Sequence, residues 1–175
     1  HQFSNTQGTA PVRLLHYNSL PLAMTTVADP QFFFNNPYDH PESSGAGDDF
    51  YSEAKSMPRI GRKGDRGFLW QGNFFPDMGS WDKLEPNQTR GAGGSTVQIQ
   101  FPGSEMSCHM SVFDPLLYKK AHRHGPGRVI VIPGGDGYSI LWEQGKEKIV
   151  VPWQEASAFV PPNRGFHQHF NVGGG

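Results

Sequence analysis

Five of the eight histidines in this 175-residue chain lie after residue 108, and four of those form two pairs with a single residue between partners. His122 and His124 stand in "AHRHGPGRVIVIPGGDGYSILW" (121–142), and His167 and His169 in "PPNRGFHQHFN" (161–171). Alternate side chains of an extended strand share a face, so each pair looks one way, and Asn171 joins the second pair. In a small closed β structure one face of every strand points inward, and two such pairs converge on one interior point. Imidazole nitrogens about 2 Å from a divalent ion are the usual outcome of that convergence. A lone His-x-His would favour ordinary core or surface histidines satisfied by backbone carbonyls. Two pairs, each beside a Pro- or Gly-rich turn, favour a metal.

The elements that must hold these residues are short strands. Gly 22, Pro 15 and 13% aromatic residues suit many strands and tight turns, because Gly and Pro break helices and punctuate sheets. "TVQIQF" (96–101), "MSCHMSVFD" (106–114), "RVIVIP" (128–133), "YSILW" (138–142), "KIVVPW" (148–153), "SAFVP" (157–161) and "FHQHFNV" (166–172) are β-branched or aromatic runs. Each is bounded by Gly, Pro, Asp or Asn, the pattern of a sandwich or barrel. "PGGDGY" supplies an Asp-Gly turn and "EQGKE" a hairpin turn. The fold class is therefore all-β, with one core in residues 90–175.

Residues 1–89 carry no clear period and are expected to be an irregular or helical arm that packs on the barrel or on a partner subunit. "SLPLAMTTVAD" (19–29) suits one helix ended by Asp29-Pro30, since the residue before a proline is pushed out of the α region. Phe32 to Phe34 and Phe68 to Trp70 are its anchors. His40, Asp39 and Glu42 read as a solvated loop, because nothing fixes them on one face. "RGAGG" (90–94) lacks the Gly-Lys-Ser/Thr of a phosphate loop and reads as a flexible entry into the first strand. A start at His1 and a stop at three glycines after a strand suggest a piece of a longer protein, with the barrel cut short at its C-terminus.

Lys+Arg 15 against Asp+Glu 16 leaves a net charge of -1, so no basic stripe recommends nucleic acid or an anionic membrane as partner. No apolar run approaches the roughly 18 residues of a spanning helix. The single cysteine, Cys108, rules out an internal disulfide framework and fits a reducing, cytoplasmic compartment. It reads as a small buried hydrophobe rather than a nucleophile. The Asn87-Gln88-Thr89 triplet is of a kind that arises often by chance.

Residues 116–171 resemble the cupin superfamily, whose small jelly-roll barrel carries a first motif of His-x-His, an acidic residue three or four positions on, and a glycine. Its second motif is Pro-x-Gly-x-x-His-x-x-x-Asn. Here "HRHGPGRVIVIPGG" supplies His122, His124 and Gly135, and "PNRGFHQHFN" supplies Pro162, His167 and Asn171. The tandem "HQH" is similar to that of the ring-cleaving cupin dioxygenases of gentisate and salicylate, which bind ferrous iron through three histidines. The wording around both motifs also resembles a group of poorly characterised bacterial cupins that share the aromatic-rich N-terminal region. The chain departs from the pattern at the acidic position, which falls at Arg128 or Val129. Leu116 replaces the glycine before the first histidines and Arg164 the glycine of the second motif.

What the resemblance implies is a divalent metal on His122, His124 and His167, with Fe(II) favoured and Mn, Zn or Ni as alternatives. Three neutral imidazoles leave the ion its full +2 charge and about three open positions, which suits anionic substrate oxygens and dioxygen. The expected activity is Fe(II)-dependent dioxygenation of a small oxygenated or aromatic acid. A metal-dependent lyase, decarboxylase or isomerase and a non-catalytic binding module are the competing readings. His169 would be a fourth ligand, an orienting group or a general base. Arg128, if its strand turns it inward, would hold a substrate carboxylate; an outward arginine is the ordinary alternative. Tyr138 and Trp142 would wall an aromatic substrate, His109 would lie at the rim on the face it shares with Ser107 and Ser111, and Asn171 would complete the pocket. Strand exchange between barrels implies a homodimer.

Overall fold

The computed structural model describes residues 4–35, 53–58, 68–86, 93–104, 106–125 and 127–173. The chain divides into two units, His1–Gly45 and Ala46–Gly175. The solvated loop expected at Asp39, His40 and Glu42 lies outside the described residues, as do Asn87 to Thr89.

The first unit holds two short helices, α1 (Leu20–Thr26) and α2 (Pro30–Phe34). The helix expected over 19–29 stops earlier, at an extended Val27 whose N–H bonds back to the Ala23 carbonyl. Asp29-Pro30 begins the next helix instead of merely ending the first. The Asp29 carboxylate accepts from the Gln31 N–H at 2.9 Å, and a proline at the first helical position loses no bond it could have made. Phe32 meets Phe33 edge to face at 5.2 Å, while Phe32 and Phe34 stay exposed.

The second unit is β-rich. The stretch read as arm contributes three strands of its own, β1 (Lys55–Pro58), β2 (Phe68–Gln71) and β3 (Glu85–Pro86). All seven runs read from the sequence then become strands: β4 (Ser95–Gln100), β5 (Ser107–Val112), β6 (Ile130–Val131), β7 (Gly137–Trp142), β8 (Ile149–Trp153), β9 (Ala158–Phe159) and β10 (Phe166–Asn171). The three arm strands are not irregular: β1 pairs with β2, β2 runs parallel to β4, and β3, like β5, pairs antiparallel with β4. The middle strand β4 buries Val97 and Ile99 on one face, the alternation that a half-covered sheet requires. Trp70, Phe75, Trp81 and Phe101 stand ring to ring at 5.3–6.2 Å beside it.

The sheet that matters for the histidines has the order β10-β7-β8. β7 and β8 form the hairpin expected at "EQGKE". Lys146 N–H bonds to the Glu143 carbonyl at 3.0 Å, and Gly145 takes the left-handed conformation (φ +79°) that a side chain would resist. The Asp-Gly turn at 136–137, by contrast, does not join a paired hairpin. β6 pairs with β9, and the chain then passes to the other sheet as β7.

Burial alternates along β7, with Gly137, Ser139 and Leu141 buried and Tyr138, Ile140 and Trp142 half-buried. Residues directly opposite across a ladder share a face, and the register sets His167 against Leu141 and His169 against Ser139. The histidines of β10 therefore belong to the buried face of β7. Tyr138 and Trp142 belong to the other. They stack on Phe170 at 4.7 Å and Phe166 at 5.3 Å, near-parallel. The expectation that they wall the site is corrected by this one-residue phase, because a strand sends successive side chains to opposite faces.

Candidate metal centre

The free edge of β10 is taken by residues 116–122, which run antiparallel along it without forming a long strand. Leu116 N–H donates to the Asn171 carbonyl at 2.9 Å and Lys119 N–H to the His169 carbonyl at 2.9 Å. His122 and His167 then exchange both backbone bonds, at 3.1 and 2.9 Å. That bridge makes the two histidines a direct cross-strand pair, although 45 residues of chain separate them. Their rings lie 4.2 Å apart, centre to centre, and the two Nε2 atoms face each other at 3.1 Å. His124 follows two residues on, its ring 4.8 Å from that of His167 and 5.6 Å from that of His122.

One nitrogen from each of His122, His124 and His167 lies within 4.8 Å of the others, and no carboxylate among the described residues belongs to the group. The tautomers of the first two follow from their backbone contacts. His122 Nδ1–H donates to the Lys120 carbonyl at 3.0 Å and His124 Nδ1–H to the Gly125 carbonyl at 3.3 Å. A carbonyl can only accept, so each Nε2 carries a lone pair. This carbonyl support of the outer ring nitrogen is how ligating histidines are commonly oriented.

His167 is 2% exposed, and its buried Nδ1 makes no well-aligned hydrogen bond among the described residues, while its Nε2 lies 3.1 Å from His122 Nε2. Burial drives its pKa down to about 3, helped by His122, His169 and His124, with the Gly165 carbonyl opposing. The ring is thus neutral at ordinary pH, as a metal ligand must be. Two nitrogens 3.1 Å apart, each about 2.1 Å from a common ion, subtend about 90–100° at it, a usual angle between neighbouring ligands. The widest spacing in the group exceeds the roughly 4 Å span of two nitrogens on one ion by less than an ångström, which a ring rotation supplies. The donor set fits a divalent ion.

His169 shares the buried face. Its ring is 5.2 Å from that of His167, its nitrogens are not part of the three-ligand group, and Nδ1 contacts Ser139 Oγ at 2.7 Å. Burial first, then the charges of His122, Lys119 and His109, lower its pKa to about 4. His109 lies on β5 opposite Gln98, with its side chain exposed. Asn171 is a clamp: Nδ2 donates to the Phe113 carbonyl at 2.8 Å and Oδ1 accepts from Gly173 N–H at 3.1 Å. That ties the end of β10 to the residue leaving β5, so its amide is engaged and does not reach the pocket.

Beside His124 and His167 opens a small depression of about 100 Å³, lined also by Arg128, Val160, Pro161 and Asn163. Arg128 stands exposed at this mouth and Val129 is half-buried. Of the two residues at the expected acidic position, Arg128 thus stands as a cation at the rim of the pocket. What the sequence missed is Ser139 with Trp153, whose indole N–H donates to Ser139 Oγ at 3.0 Å. Nothing in "GYSILW" marks that serine, since its partners come from two other strands. No family model matches the chain, and no curated protein or solved structure matches it either.

Proposed function

We propose that residues 90–175 form a cupin-type jelly roll and that the chain is a metal-dependent, Fe(II) dioxygenase-like enzyme of small oxygenated acids. The observation that carries this is the convergence of His122, His124 and His167 with no carboxylate from the described residues in the set. A bound divalent ion would supply electrophilic charge and, if iron, a site where substrate and oxygen meet. His122 and His124 hold their Nε2 lone pairs inward through the Lys120 and Gly125 carbonyls. His167 stays neutral through burial. Arg128 at the rim meets the carboxylate of an incoming acid with a planar, permanently charged fork.

The walls of the pocket narrow the substrate. The aromatic side chains expected from the sequence to line it are on the opposite face of the sheet. The favoured substrate is a short aliphatic acid with a second oxygen beside its carboxylate, ahead of an aromatic one.

The test is metal analysis of anaerobically purified protein, followed by reconstitution of stripped protein with Fe(II), Mn, Zn or Ni. Oxygen uptake is then read against a panel of short hydroxy-, keto- and dicarboxylic acids and of salicylate-like acids. Fe(II)-specific oxygen consumption with the short acids supports the proposal. Turnover without oxygen uptake would move the chain to the lyase or isomerase class. An absence of bound metal in every case overturns the proposal.

A further inference from the structure

We propose that Ser139, held by Trp153, locks His169 as the tautomer with its proton on Nε2, making His169 a fixed hydrogen-bond donor beside the three-histidine site and not a fourth ligand. A serine hydroxyl has one proton and two lone pairs, and an indole N–H only donates. Trp153 therefore occupies one lone pair of Ser139 Oγ. The 2.7 Å contact to His169 Nδ1 then has two formal solutions. If Nδ1–H were the donor, the hydroxyl proton would need a third partner. Ser139 is 0% exposed, and among the described residues its Oγ touches no other acceptor. The proton therefore lies between Oγ and Nδ1, Nδ1 carries the lone pair, and Nε2 carries the hydrogen.

The packing holds this arrangement in place. Gly137, Ser139, His169 and Trp153 come from three adjacent strands, with Gly137 opposite Trp153 and Ser139 opposite His169. A Cβ at Gly137 would collide with the Trp153 ring, so the glycine is the seat on which the indole lies. Trp153 is itself buried, which leaves its N–H no water to turn to. On the other side of the imidazole, Nε2 has no protein hydrogen-bond partner among the described residues, and the ring is only partly covered. A neutral imidazole with Nε2–H cannot ligate through that atom or accept a proton there. It can donate to an oxygen of an anion held by the neighbouring histidines.

The tautomer stands on contact geometry alone, and the donor role rests on the metal reading proposed above, so the two are measured separately. Long-range ¹H–¹⁵N correlation spectra of metal-free protein read the tautomer of His169 directly. The expected result is the Nε2–H signature in wild-type and in Ser139→Thr, with a shift toward a mixture in Ser139→Ala. An Nδ1–H signature in wild-type overturns the inference whether or not metal binds. For the donor role, Co(II)-loaded protein is titrated with oxalate as probe. His169→Phe is expected to keep Co(II) affinity within about threefold of wild-type, and to weaken oxalate by about 10- to 100-fold, as loss of one charge-assisted bond does. His169→Gln, which restores an N–H, is expected to recover most of that loss. A fall in Co(II) affinity in His169→Phe as large as in His124→Ala makes His169 a ligand and overturns the proposal, as does unchanged oxalate binding. If wild-type takes up no Co(II), the metal reading and the donor role fail together, while the tautomer is still decided by the spectra.

Discussion

Replacing His124 with alanine tests the centre with the least damage to the fold, because this ring is only half-buried and follows the bridge that ties His122 to His167. An ion that binds only the folded chain stabilises it by RT ln(1 + [metal]/Kd), about 2.7 kcal/mol when the free metal is one hundred times Kd. For a chain of this size each kcal/mol moves the midpoint of unfolding by about 2–4 °C, so saturation raises Tm by about 5–11 °C. Loss of one of three nitrogens weakens the site by at least the roughly 100-fold seen when a supporting residue of a metal site is removed. At the same free metal, His124→Ala then sits near its own Kd and gains only about 0.4 kcal/mol, or about 1–2 °C. The assay is calorimetric or dye-monitored melting of chelator-stripped protein with and without added Zn(II), Mn(II), Ni(II) or anaerobic Fe(II). The reasoning is refuted if no metal raises the Tm of wild-type, or if His124→Ala rises as far as wild-type does.

Acid should weaken the metal-free protein. His167 and His169 have folded pKa values of about 3 and about 4 against 6.5 in the unfolded chain, so the unfolded state binds the extra protons. Stability is then fully present above pH 6.5 and falls as pH drops from there toward 3, by up to about 1.4 kcal/mol per pH unit for each histidine; urea melts at stepped pH measure it, and a flat profile contradicts the burial of both rings. Gly137→Ala, which drives a methyl into the Phe170 backbone carbonyl and the Trp153 ring, is expected to cost about 1–3 kcal/mol in the same urea melts, and a cost under about 0.5 kcal/mol would mean that neither β10 nor the indole packs against this glycine. Arg128→Gln is expected to raise KM for an acid substrate by about tenfold with little change in kcat, because an exposed rim cation binds ground and transition states alike; a loss confined to kcat would place Arg128 at the reacting atoms instead.

The strands and both histidine pairs were legible because they depend on local chemistry: β-branched runs, glycine and proline boundaries, and period-two spacing. The hairpin at Gly145 was legible for the same reason. The phase of β7 was not. In "GYSILW" Ile140 and Leu141 put apolar side chains on both faces, so the sequence offers no way to tell which one carries the site, and Tyr138 and Trp142 were assigned to the wrong one. The pairing of β2 with β4 and the contact of Ser139 with His169 and Trp153 join residues distant along the chain, and no local pattern encodes such registers. Asp29 was read as a stop and proved to be a cap, two roles that the same Asp-Pro pair serves equally well.

The strip formed by residues 116–122 has a further consequence for how the protein behaves in company. A strand edge with unsatisfied N–H and C=O groups is a template on which another chain can dock, and β10, reading "FHQHFN", is long and aromatic enough to serve as one. Among the described residues only that strip covers it, and the strip's far end is tied down at His122, one of the three ligands. The opposite edge of the same sheet, β8, already exposes Ile149 and Val150 and has no further strand beside it among the described residues. Metal at the three histidines would therefore fasten the cover over the second edge. The stripped protein would hold that cover by its backbone bonds alone and open the second edge more often, an aggregation tendency that light scattering would detect and that restored metal should suppress.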